Sequence, residues 1–91
     1  MALHLFFNPN RYVTLLETLK AEDVIIIFDQ ALLDWAEIQI GAGTPQCAAI
    51  FALTQECQQR ELTLPAEGLV AISFADWVAL TIKHPQQVNW V

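Results

Sequence analysis

Positive charge is scarce in this sequence. Four Lys and Arg stand against ten Asp and Glu, a net charge of −6 over 91 residues. A free-standing nucleic-acid binder needs basic side chains to displace counterions along the phosphates, and Arg11, Lys20, Arg60 and Lys83 are too few and too scattered. Direct, autonomous binding to RNA or DNA is not expected, although a partner subunit could supply the basic surface. Long apolar runs are missing as well. The strongly apolar residues 24–28 are strand-sized, far short of the ~18 residues of a membrane span. The first residues lack the basic and extended apolar regions of a signal peptide. The sequence therefore predicts a soluble, cytoplasmic protein with no membrane partner.

Several signatures of chemistry are absent. No G-x-G-x-x-G follows the first strand-like segment, where Asn8-Pro9-Asn10 stands instead, and no G-K-[ST] is present to cradle phosphates. No nucleotide cofactor, or any other, is expected. His4 and His84 lie near opposite ends of the chain without H-x-x-x-H or Cys/His spacing, so no metal site is expected either. The two cysteines, Cys47 and Cys57, form no C-x-x-C, and in a reducing cytosol a structural disulfide between them is not expected.

What is abundant is apolar surface: 55% of residues are hydrophobic and only 15% charged. In a single small domain spanning residues 1–91, that excess implies a sheet covered on both faces, an apolar patch that meets a partner, or both. Residues 2–7 (ALHLFF) read as a first strand. Asn8 then Pro9 marks a helix start, because the Asn side chain can cap free N–H groups and Pro has none to lose. The helix runs to about Lys20 on a stripe of Tyr12, Val13, Leu15, Leu16 and Leu19. Residues 24–28 (VIIIF) read as a buried parallel strand. A short helix follows Asp29, with Leu32, Leu33, Trp35 and Ile38 apolar, and residues 41–45 form a loop. Residues 47–53 read as a third strand, 54–60 as a polar helix, 65–68 as a turn and 69–73 as a fourth strand. Residues 74–83 form the last helix, Pro85 ends it, and a tail closes on Trp90. This rhythm predicts a small three-layer α/β/α domain. Its mainly parallel sheet has four strands, or five if another segment joins, linked by right-handed crossovers.

Asp29 falls at the carboxyl end of the second strand, the rim where open α/β sheets gather functional groups; it can serve there as an interface residue or as a helix N-cap. Trp35 and Trp77 fit helix stripes, so they can pack in the core or anchor an interface. Trp90, the penultimate residue, needs something to dock it, either its own domain or a neighbour. For Cys47 and Cys57 the residue-level reading is a small hydrophobe; a reactive thiol would need a helix N-terminus or a cation to stabilise its thiolate.

The closing segment, residues 77–90 (WVALTIKHPQQVNW), resembles the end of TusB/DsrH proteins. That family closes on an aromatic, an apolar helix turn, a basic residue, His, Pro or a polar residue, and a final Trp. Leu3-His4 followed by Asn8-Pro9 is similar to the family's first strand and Ser-Pro-like helix start. Ala52-Leu53-Thr54-Gln55-Glu56, ending in Arg60-Glu61-Leu62, is similar to its strand-to-helix segment. The resemblance implies a DsrE-like fold and a heterohexamer of three paralogous subunits in two copies, the others TusC/TusD-like. That complex passes persulfide sulfur along cysteines. In the Tus branch the sulfur goes toward 2-thiolation of the tRNA wobble uridine, in tRNA processing; in the Dsr branch the relay serves sulfur oxidation. Two departures matter. The cysteine that DsrH members carry in the first helix is missing from residues 10–20, and the family's Asp-Gly after the second strand is Asp29-Gln30 here. The expectation is a non-catalytic subunit of the sulfur relay. Asp29, Trp35, Trp77, His84 and Trp90 are its candidate interface residues. The alternatives are a persulfide carrier using Cys57 or Cys47, and a homo-oligomeric module of the same fold.

Overall fold

The computed structural model describes residues 1–60 and 69–91. The turn expected over residues 65–68, and Glu61 and Leu62 of the resemblance, lie outside them. Five parallel strands, β1 (Leu3–Phe6), β2 (Val24–Ile27), β3 (Ala49–Leu53), β4 (Val70–Ile72) and β5 (Gln87–Trp90), form one sheet in the order β4-β3-β2-β1-β5. The α-helices are α1 (Tyr12–Thr18), α2 (Asp29–Leu33), α3 (Trp35–Ala42), α4 (Thr54–Gln59) and α5 (Phe74–Lys83), with a 3-10 turn at Pro9–Arg11.

The layers follow from the order. From β1 to β4 the chain moves steadily to one edge, and right-handed crossovers put α1 to α4 on one face. It then crosses back to β5 beyond β1, which puts α5 on the other face. The two cores agree. Phe6, Leu15, Ile25, Ile27, Leu32, Trp35 and Cys57 pack on the α1–α4 side, while Leu3, Leu5, Ile26, Phe28 and Ile72 meet Trp77 and Leu80 of α5. The domain is the expected three-layer α/β fold.

Central strands read as continuous apolar runs because both faces are covered: β1 and β2 are buried at every residue. The tail is the fifth strand. It pairs with β1 from Leu3↔Gln87 to Phe6↔Trp90, an edge strand whose Gln87 and Asn89 stay exposed. Asn8 caps the 3-10 turn as anticipated, its Oδ1 accepting the Asn10 N–H at 3.0 Å. The helix after Asp29 is broken at Asp34 into α2 and α3, and α3 runs to Ala42 before Gly43 ends it. Gly43 adopts φ 87°, where a side chain would be strained.

Candidate functional site

In open α/β sheets ligands gather beyond the carboxyl ends of the strands where the chain order reverses. In this sheet that point lies between β1 and β5. A crevice of about 450 Å³ opens there, floored by Phe7 and Val91 and walled by Asn8, Asn10, Gln30 and Asp34. Its polar groups are largely engaged with one another. Asn8 caps Asn10, and Gln30 Nε2 donates to Asp34 Oδ1 at 3.0 Å. The lining includes no Cys, His or hydroxyl. Such a crevice can recognise a polar group, and its only ionisable side chain is the Asp34 carboxylate, which Gln30 engages.

Along the same rim, Asp29 leaves β2 with φ 51°, the one described non-glycine residue at positive φ. Short polar side chains tolerate that conformation best, but it still costs free energy. Contacts from α4 hold it: its N–H donates to Glu56 Oε1 at 3.1 Å, and its carboxylate accepts from Arg60 Nη2 at 3.3 Å. Asp29 does not cap α2 with its side chain, which was one sequence reading. The ion pair is solvent-exposed and contributes little by itself.

Both thiols lie on the α1–α4 face. Cys57 is 2% exposed, and burial first, then the charge of Glu56, pushes its pKa up. Cys47 is half-buried, its Sγ–H facing the Ala49 carbonyl oxygen at 3.5 Å. Burial raises its pKa as well, with Asp23 adding to the effect. Neither is set up as a thiolate. No group of three or more His, Cys, Asp or Glu among the described residues could hold a metal ion.

Of the interface candidates, three are buried in the domain, and two of these, Trp35 and His84, keep a buried ring nitrogen without a hydrogen-bond partner among the described residues. Trp35 is buried edge-on against Phe6 and Tyr12, and His84 is buried at the end of α5. Trp90, 9% exposed, belongs to the core. Trp77 is half-buried against Phe28 and Phe74, and Asp29 is exposed, so these two remain at the surface.

The sequence reading missed a buried polar network that joins the amino-terminal ends of β1 and β2 to Trp90 at the carboxyl end of β5. His4 Nε2 lies 2.9 Å from Asp23 Oδ2, and the indole N–H of Trp90 donates to His4 Nδ1 at 3.0 Å. Asp23 also accepts the backbone N–H groups of Ala2 and Lys20. A hollow of about 180 Å³ opens beside it. One signal was present: a lone histidine in a fully buried strand must find partners. No helix among the described residues is long and apolar enough to cross a membrane. No protein-family model matches the chain, and a search of curated proteins finds no similar one.

Proposed function

We propose that this chain is a non-catalytic subunit of a sulfur-relay complex, the role its resemblance to TusB/DsrH proteins implies. It would work in the cytosol beside two related DsrE-like subunits, toward 2-thiolation of the tRNA wobble uridine. The observation that carries the reading is the setting of the two thiols. A persulfide carrier must expose a thiolate to its donor and acceptor, whereas burial raises the pKa of both Cys47 and Cys57, with acidic neighbours adding to it. The five-stranded parallel fold is consistent with a partner subunit.

The test replaces Cys47 and Cys57 together with Ala in the producing cell, beside a strain lacking the gene. Wobble-uridine 2-thiolation should stay near the wild-type level in the first strain and collapse in the second. Ala is the better choice than Ser, which would bury a hydroxyl without a partner at Cys57. A persulfide trapped on Cys47 or Cys57 by mass spectrometry, together with lost thiolation in the double variant, would establish the carrier reading instead. Unchanged thiolation in the strain lacking the gene would remove the chain from this pathway.

A further inference from the structure

Helix α5 alone covers its face of the sheet among the described residues, and it is too narrow for that task. Five strands spaced about 4.8 Å apart span about 19 Å, whereas one helix with its side chains is about 10 Å across. The shortfall is visible on the same face at the β3–β4 side, where Phe51 and Leu53 are only half-buried and Val70 is 55% exposed. The helix itself has no fully buried residue. Trp77 and Leu80 point to the sheet, while Phe74, Val78 and Ile82, one turn apart, are 63%, 43% and 77% exposed. The small residues Ala75 and Ala79 lie beside that stripe and leave room for a close helix approach.

We infer that this face is a two-fold contact between two copies of the chain, with α5 packed antiparallel on α5 of the second copy. Two features select a second copy. The first is charge. In a chain of net charge −6, α5 carries one acid and one base, Asp76 in its first turn and Lys83 in its last. The face that α5 offers therefore carries no net charge, so two otherwise acidic copies can meet on it without like-charge repulsion, and the antiparallel arrangement sets the Lys83 end of each helix beside the Asp76 end of the other. The pairing also opposes the two helix dipoles. The second is area. The outer face of α5 with the uncovered strip at Val70 and Phe51 offers on the order of 600 Å² per copy, the lower end of what specific dimers bury. This contact stands apart from the sulfur-relay reading and does not depend on it.

The full chain should sediment at about twice its 10.2 kDa mass at high concentration and dissociate on dilution. Ile82→Lys should weaken the dimer at least about tenfold by placing a charge in the stripe. Its melting temperature, measured where both proteins are monomeric, should be unchanged, since Ile82 makes little use of its own domain. Lys83→Glu should weaken association as well, by giving each α5 a net negative charge where two acidic copies meet. A wild-type chain that stays at 10.2 kDa across a hundredfold concentration range overturns the inference. So does a dimer indifferent to both substitutions, which would place the contact elsewhere. If the chain alone is monomeric while Ile82→Lys abolishes capture of a related α/β subunit, the face belongs to a heterologous partner and the two-copy contact is wrong.

Discussion

The proton on His4 is placed by its two neighbours. Trp90 donates its indole N–H to Nδ1, so Nδ1 must present a lone pair and the ring proton sits on Nε2, directed at Asp23. Asp23 then accepts three N–H groups, from His4, Ala2 and Lys20. Burial pushes its pKa up, but the hydrogen bonds from His4 and the two backbone amides outweigh it, and the folded value lies below the ordinary 3.8. A carboxyl whose pKa is depressed by folding stabilises the native state above the unfolded value, and that contribution is lost as pH falls through the folded one. Asp23→Asn should therefore cost about 2 kcal/mol at neutral pH, because an amide presents donors where backbone N–H groups already point. The gap in melting temperature between wild type and variant should narrow once the pH drops below 3.8. A gap that stays constant from neutral pH down to pH ~3 would show that this carboxyl is not the group being titrated.

Helix α5 is held to the sheet only by the partly buried Trp77 and Leu80, so its capped ends matter to it. Ser73 Oγ accepts the Asp76 N–H at 3.1 Å, and the Asp76 carboxylate accepts the Ser73 N–H at 3.2 Å, a reciprocal capping box. Ser73→Ala should cost about 1 kcal/mol, read as a lower melting temperature. Amide exchange should also quicken in the first turn of α5 more than in β2. Uniform acceleration would mean that the cap serves global stability only. The borders of α5 were legible because Ser73, Asp76 and Pro85 sit where local chemistry starts and stops a helix. β2 was legible because VIIIF can only be a strand buried on both faces. β5 was not: QVNW is four residues long, half polar, and becomes a strand only because β1 offers an unpaired edge. Asp29 was placed on the rim from sequence, but its positive φ is set by Glu56 and Arg60, which lie on another element. The His4–Asp23–Trp90 network was illegible for the same reason, its members being 19 and 86 residues apart.

At the scale of the molecule, the pairing of the last strand with the first makes the tail a structural closure. Residues 86–90 bond to β1 through Leu3 N–H to the Gln86 carbonyl oxygen at 2.9 Å, and through Phe7 and Asn8 N–H to the Trp90 carbonyl oxygen at 3.1 Å each. The same segment places Trp90 in the core, with its ring stacked near His4. Removing residues 86–91 would turn β1 into an exposed, apolar edge, the kind of edge that recruits other chains. It would also leave the His4 Nδ1 acceptor without its donor. Truncation should therefore unfold or aggregate the isolated chain, the outcome expected if Trp90 is docked by its own domain and not by a neighbour. Trp90→Ala is the milder form of the experiment. A buried aromatic truncated to Ala costs about 3–5 kcal/mol, which in a domain this size lowers the melting temperature by roughly 15–25 °C. Gln87→Ala, on the exposed side of the same strand, should leave it within a degree or two, about the usual effect of a surface substitution. If Trp90→Ala melts like wild type yet no longer co-purifies with partner subunits, the tail docks outward and the closure described here is wrong. The geometry favours collapse of the monomer, because an edge strand four residues long has only β1 and the buried indole to hold it in place.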